Sequence, residues 1–299
     1  MHFSAVLNRD GGTLRTTDIE NFSDFMRHTL EEAGHKIDIE AVSGDEIADA
    51  LDSALASESD VVLAGGGDGT ISAAAARLMG TDKALAILPA GTMNLFARSL
   101  KIPQTLEAAV AAFADGRIMP VDMATANDEA FIHQFSFGMH AKMVQLRSRM
   151  EFGSRFGKIH ASAKAAWSTI MNPPSMKVAL TINGKEQLVR TTGIGISNNV
   201  FGEGHLPYAD VPDGGVLGIY LMVARERGEM IRLAFNLARG KWRDNEHVEV
   251  LEAEEVTVRI VSFRGKRAAV MDGELVKLAE ETTLKIHPRA LKALVPKQA

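Results

Sequence analysis

Residues 61–79 read VVLAGGGDGTISAAAARLM. An apolar run ends in three glycines, an aspartate and a fourth glycine, and alanine-rich sequence follows at once. Each glycine loses more backbone freedom on folding than any other residue, so three in succession need a reason. The pattern is strand, turn, helix. In a parallel sheet the crevice at the carboxyl ends of the strands is where ligands bind. Glycines there let the backbone approach phosphate oxygens, and the following helix presents free N–H groups with a partial positive charge. Asp68 is the odd residue, because an anion beside an anion repels. It suits a turn that holds a cation such as Mg²⁺ or that accepts hydrogen bonds from a ligand. The plainer reading is a tight connection with Asp68 capping the helix. The stretch is neither G-x-x-x-x-G-K-[ST] nor a G-x-G-x-x-G after the first strand, so neither a Walker A loop nor a Rossmann dinucleotide site is expected.

The next turn repeats the idea. LPAGTMNLFAR (88–98) ends another apolar strand in Pro-Ala-Gly and places Thr92 and Asn94 at the start of a helix, where each can cap it or bond a phosphate. Two neighbouring strand ends with such turns make one shared crevice.

Around these turns the chain alternates. HFSAVL (2–7) reads as a strand. In residues 18–33, Ile19, Phe22, Phe25, Met26, Leu30 and Ala33 recur at helical spacing, with Gly34 at the C′ position. HKIDIEAV (35–42) is a strand, and Ser43 and Asp45 offer caps for a helix to about Ser57. A strand at 60–64, a helix at 70–79, a strand at 83–91, a helix from Thr92 and another from Pro103 to Ala114 complete a βα series. That series predicts a parallel sheet covered by helices. After Gly116 the rhythm changes. Residues 117–137 read as two strands about Asn127-Asp128. Asn183-Gly184 is a hairpin signal between KVALTI and KEQLVRTTGIGIS. A helix-rich basic stretch at 139–171 ends at Pro173-Pro174, and one helix at 228–240 interrupts further strands at 216–224, VEVLEA, EVTVRIVSF and RAAVMDG. The expected organisation is an α/β domain over 1–122 and a mainly antiparallel domain over 123–288, with a tail at 289–299 packing back on the first.

The 299 residues carry a formal charge of -5, so no global basic field for nucleic acid exists and no nucleic-acid partner is expected. Cysteine is absent, which excludes disulfides and thiolate metal sites and suits a cytoplasmic setting. MHFSAVLNRDGGT lacks a basic segment followed by an apolar one, so no secretory signal is expected. No uninterrupted apolar stretch reaches ~18 residues, so membrane contact would be peripheral. No His-based zinc motif occurs. Lys142, Arg147, Arg149, Arg155, Lys158 and Lys164, with Phe152, Phe156 and Trp167 interleaved, form a basic segment. It reads either as a surface for anionic lipid head groups or as a solvated helical face. An edge strand of the second domain offers a pairing surface for a homodimer.

GGGDGT (65–70) and PAGTMNLFAR (89–98), in this order and spacing, resemble the diacylglycerol kinase catalytic family, which includes bacterial lipid kinases and sphingosine kinases. Further segments share the likeness. NRDGGT (8–13) resembles the family's N-P-x-S-G nucleotide loop, SFGMHAKMV (136–144) its S-x-G-x-D-A-x-V segment, YADVPDGGVLGIYLM (208–222) its D-G-x-L-D-V segment, and VMDGE (270–274) its late D-G-E. The resemblance implies an α/β nucleotide domain followed by a β-sandwich, with the site between them. It implies ATP- and Mg²⁺-dependent phosphorylation of a lipid hydroxyl, diacylglycerol-like or another lipid alcohol, in phospholipid metabolism at the inner membrane face. By match, Asn8, Gly66, Gly67, Asp68, Gly69, Thr70, Gly91, Thr92 and Asn94 surround the nucleotide. Asp272 is the general base, with Glu274 next to it in the same acidic, Mg²⁺-linked network; Asp68 counts among the catalytic residues as well as the nucleotide-binding ones, and Asp213 belongs to a Mg²⁺ site on the second domain. Phosphoryl transfer needs positioning, cation clamping and an acceptor for the hydroxyl proton, which a carboxylate supplies. Taken alone, Asp272-Gly273-Glu274 and Asp213-Gly214-Gly215 read as plain turns.

Three positions depart from the pattern. Leu95 stands where many lipid kinases have Asp, His140 where the S-x-G-x-D-A segment has Asp, and Gly218 where D-G-x-L-D-V has its second Asp. Two alternatives share some of these features. NAD kinases and phosphofructokinases also use G-G-D-G turns, but Asn198-Asn199 is followed by Val200 rather than Glu, and G-T-x-N-x-x-A-R favours the lipid branch. A relative that binds nucleotide and lipid without chemistry would lose the base, and Asp272 is retained.

Overall fold

The first strand, β1 (His2–Asn8), sits between β2 (Lys36–Val42) and β3 (Val61–Gly66), parallel to both. A computed structural model describes residues 1–148, 164, 167–204, 206–224, 226–238, 245–264 and 267–297. The chain divides into two units: unit 1 comprises Met1–Met123, Tyr208–Gly214 and His287–Ala299, and unit 2 comprises Ala124–Pro207 and Gly215–Ile286.

Unit 1 is α/β. Next to β3 lies β4 (Ala84–Pro89), again parallel. Every residue of β3 and β4 is buried, as strands covered on both faces must be. Helix α1 (Ile19–Glu32) starts at Asp18, whose carboxylate accepts the Asn21 N–H at 3.2 Å. Gly34, at φ +78°, follows its end as the left-handed residue the sequence predicts. A capping box between Ser43 and Glu46 precedes α2 (Ile47–Ala56). Helix α3 (Asp68–Leu78) packs with α2, while α5 (Leu106–Ala114) packs with α1; the short α4 (Leu95–Ser99) lies between α3 and α5 in sequence.

Unit 2 is antiparallel. Strand β5 (Arg117–Ala126) begins in unit 1, enters unit 2 at Ala124 and turns through Asn127, at φ +53°, into β6 (Glu129–Phe131). The second strand expected to Phe137 is in fact two, because the chain breaks at 132–133 before β7 (Gln134–Gly138). Helix α6 (Met139–Ser148) follows directly. Strands β8 (Ser175–Ile182) and β9 (Lys185–Thr191) close the hairpin over Asn183 and Gly184, both at positive φ, as a primed turn requires. At Thr192 the chain leaves that sheet and enters the other as β10 (Gly193–Asn198). Strand β11 (Leu217–Met222), helix α7 (Arg227–Ala238) and strands β12 (Val248–Ala253), β13 (Glu255–Arg264), β14 (Ala268–Met271) and β15 (Glu274–Lys277) follow. One sheet runs β12-β11-β10-β7-β14-β15, and β13 pairs β8 in the other. Phe131, Phe135, Phe137, Val178, Leu180, Ile196, Ile219 and Val256 fill the space between them, which is a β-sandwich core.

The last strand, β16 (Glu281–Val295), is longer than the sequence suggests. Its first residues pair antiparallel with β13, and Lys292 and Ala293 pair parallel with β4. Pro288 lacks an N–H, Arg289 takes φ +57°, and the Arg289 N–H goes to buried Asp122 at 2.8 Å. That kink hides the strand's continuity from pattern reading. Most of the basic segment 142–164 lies outside the described residues. Lys142 donates to the Asn172 carbonyl, Lys164 is exposed, and Trp167 is 59% exposed. Among the described residues no helix is long and apolar enough to cross a membrane.

Candidate functional site

In unit 1 the two glycine turns touch. A Cβ on Gly91 would lie 2.7 Å from Asn94 Oδ1 and 2.9 Å from the Gly67 Cα, so the second turn accepts no side chain at Gly91, whereas a Cβ on Gly67 would sit at ordinary contact distance. Gly12 is tighter still. It has φ +46°, and a Cβ there would lie 1.8 Å from the Ala90 carbonyl oxygen, which accepts the Thr13 N–H at 2.8 Å. The loop after β1, the loop after β3 and the loop after β4 therefore form one packed cluster at adjacent strand ends. Asn8 joins it, donating to the Thr70 hydroxyl at 3.2 Å and accepting the Asp10 N–H. Around Gly69 there is open space, and a Cβ added there would meet nothing within 4 Å. The first turn of α3 is thus bare where a phosphate would approach.

Asp68 caps a helix, but not its own. Gly67 is the N-cap of α3, and the Asp68 carboxylate accepts the Asn94 N–H at 3.1 Å and the Leu95 N–H at 2.8 Å. It thereby closes the start of α4 and ties the second turn to the first. Asn94 is buried in the left-handed region at φ 50°, and its amide donates to the Gly91 carbonyl at 3.1 Å. This geometry begins α4 at Leu95 rather than at Thr92, and Thr92 itself is exposed. Asn94 and Asp68 shape the turns, while Gly67, Gly69 and Thr70 present the helix end.

The sequence expectation puts Asp213 on the second domain, and the structure corrects this. Its segment belongs to unit 1, because the Pro212 carbonyl accepts the Asp122 N–H at 2.9 Å. Asp213 is exposed. Among the described residues no three His, Asp or Glu side chains gather as a metal cluster. A Mg²⁺ carried on a triphosphate needs only one or two carboxylates besides phosphate oxygens and water, and exposed Asp213 is compatible with that role.

In unit 2, Asp272 holds the break between β6 and β7. Its carboxylate accepts the N–H groups of Ile132 (2.9 Å), His133 (2.9 Å) and Gln134 (3.1 Å), and its own N–H donates to the Gln134 carbonyl at 2.9 Å. Asp272 has φ 47° and Gly273 φ 94°, the conformation of a tight turn between β14 and β15. Glu274 is exposed at the start of β15.

Gln134 leads to a further feature, partly walled by the SFGMHAKMV segment (136–144). A cavity of about 420 Å³ opens inside unit 2, lined largely by apolar side chains from β10, β11, α6 and α7, among them Met139, Met143, Ile194, Met222 and Leu233. Its polar groups converge: the Ser136 hydroxyl lies 2.7 Å from His140 Nδ1, and the Gln134 amide nitrogen 3.3 Å from the same atom. Desolvation pushes the His140 pKa down, favouring the neutral ring. Such a chamber suits an acyl chain. The sequence hint was that segment, with the odd His140 in it. At Gly218 a Cβ would lie 2.6 Å from the Tyr220 hydroxyl, so the place of the family's second Asp is filled by tyrosine.

The diacylglycerol kinase catalytic domain family matches residues 2–126, and the YegS C-terminal NAD kinase beta sandwich-like domain matches residues 134–295. The chain belongs to the diacylglycerol kinase family. A protein of Klebsiella pneumoniae (strain 342) named "Probable lipid kinase YegS-like" is 43% identical over 96 residues, 31% of this chain and 32% of that protein. The chain thus spans about a third of that relative's length. The diacylglycerol kinase of Bacillus subtilis is 25% identical over 262 residues, covering 83% of this chain and 85% of that one. The crystal structure of a diacylglycerol kinase from Bacillus anthracis superposes with a TM-score of 0.74 over 99% of this chain and 97% of that one, at 17% identity, which establishes the shared fold. For a diacylglycerol kinase family member, the contact of the Gly67 and Gly91 turns is where the two signature motifs become one surface.

Proposed function

We propose that this protein is an ATP- and Mg²⁺-dependent lipid kinase that phosphorylates the hydroxyl of a lipid alcohol. The observation that carries the reading is the packing of the turns at Gly12, Gly67 and Gly91 beside the open N-terminus of α3. That is a surface for phosphate oxygens in a chain whose family is a kinase family. Unit 1 binds the nucleotide, with Mg²⁺ arriving on the triphosphate and Asp213 the carboxylate to meet it. Unit 2 takes the lipid, its acyl portion in the cavity. Asp272 accepts the hydroxyl proton; its hydrogen bond from the Gln134 N–H sets it beside a residue of the cavity wall. The protein works at the inner face of the cytoplasmic membrane, reached by peripheral contact.

Purified protein, labelled ATP, Mg²⁺ and a total lipid extract test the reading. Label in an organic-phase phospholipid is the expected result. Label only in water-soluble acceptors would transfer the protein to the NAD kinase-like alternative, and label in neither would end the proposal.

A further inference from the structure

Helix α6 walls two cavities. Met139, His140 and Met143 line the large one already described. A second, of about 260 Å³, is lined by Ala141, Lys142, Gln145 and Leu146 of the same helix. At about 3.6 residues per turn these two sets fall on opposite sides of α6. Pro173, Pro174 and Phe263 add apolar surface to the second wall, and Arg264 joins it from the last position of β13. The charges there run against those of the chain. The protein has 38 acidic and 33 basic residues, yet among the described residues this wall holds Lys142 and Arg264 and no Asp or Glu. Lys142 donates to the Asn172 carbonyl, which is neutral, so its charge is not cancelled, and an ammonium has further N–H groups to give. Arg264 differs from the arginines on either side of it in sequence. Arg259 meets Glu186 at 2.7 Å and Arg267 meets Glu280 at 3.5 Å. The Arg264 guanidinium is exposed and has no hydrogen bond or ion pair among the described residues.

We propose that this second cavity is a binding site for a phosphate monoester, with Lys142 and Arg264 holding the phosphate and the surface of Leu146, Pro174 and Phe263 taking the carbon skeleton attached to it. A guanidinium offers a planar fork that matches phosphate oxygens, and an ammonium offers a compact charge beside it. Two cations balance the charge of about −1.5 to −2 that a phosphate monoester carries at pH 7, whereas a carboxylate would leave one of them over. The site does not depend on the kinase reading. None of its residues belongs to the glycine turns of unit 1, to the large cavity or to the turn at Asp272.

Calorimetry on the whole protein without ATP tests the site. Glycerol 3-phosphate and dihexanoyl phosphatidate are the probes, and glycerol and dihexanoylglycerol are their phosphate-free blanks. At least one phosphate ester binds tighter than its blank by about tenfold or more, and Lys142→Gln and Arg264→Gln each remove about tenfold of that affinity. Binding of both probes, with that loss, assigns the site to the phosphate of soluble esters as well as lipids. Binding of phosphatidate alone, with the same loss, assigns it to a lipid headgroup. Neither probe binding tighter than its blank overturns the proposal without any variant. Phosphate held by the glycine turns of unit 1 would not respond to either substitution, so an affinity unchanged in both variants overturns it too. Arg264 is exposed and unpaired, so Arg264→Gln folds and decides the matter if Lys142→Gln does not.

Discussion

The Asp68 carboxylate accepts the backbone N–H of Leu95 at 2.8 Å, so the first residue of one helix caps the beginning of another. The G-G-D-G turn owes its aspartate at least in part to this cross-helix bond, with the Asn94 N–H as its second donor. Asp68→Ala leaves both N–H groups without their acceptor and is expected to cost about 1–3 kcal/mol, read from the denaturant midpoint. Asp68→Asn recovers part of it, since an amide retains one acceptor oxygen. Stability unchanged in Asp68→Ala would remove the capping role.

Two glycines separate fold from function. Gly12→Ala forces a Cβ against the Ala90 carbonyl at positive φ and is expected to lose about 2–4 kcal/mol. Gly69→Ala meets nothing and lies in the first turn of a helix, so stability holds or rises by up to about 1 kcal/mol. If α3 receives phosphates, the same Gly69→Ala methyl blocks them, and ATP affinity by calorimetry falls about tenfold or more. Full ATP affinity in Gly69→Ala would move the nucleotide elsewhere.

Asp272 is asked to be both a clamp and a base, and two variants divide the roles. Asp272→Ala strips the acceptor from three N–H groups and should lower stability by about 2–4 kcal/mol. Asp272→Asn keeps one oxygen for the turn and loses less. As a base variant it should drop kcat by about a hundredfold or more with ATP affinity unchanged. A folded Asp272→Asn enzyme with wild-type turnover leaves the residue with the clamp only.

Titration of His140 gives a pH signature. Its folded pKa lies below the ordinary value because desolvation disfavours the charged ring. Stability from this group is fully present above the unfolded value of about 6.5. As pH falls past that point the unfolded chain takes up a proton that the folded chain refuses, and stability declines until the folded pKa is passed. Denaturant midpoints from about pH 8 to about pH 5 should slope less in His140→Gln than in the wild type. Parallel slopes would place the ring in water.

The alternation of strand and helix through Ala114, the primed turn at Asn183-Gly184 and the glycine turns are all legible along the chain, because periodicity and backbone-restricted residues are local properties. His140 is legible there too, as an anomaly. The remaining features arise only when distant segments meet. The break at 132–133 exists because a carboxylate 140 residues away in sequence binds its N–H groups. Asp213 joins unit 1 through the hydrogen bond between Pro212 and Asp122, and β16 runs through Pro288 because Asp122 also receives the Arg289 N–H. The cavity is walled by methionines and aliphatic residues from β10, β11, β12, α6 and α7 among others, each of which reads as ordinary core on its own. Such features depend on which distant groups satisfy one another, and the spacing of residues along the chain does not encode that.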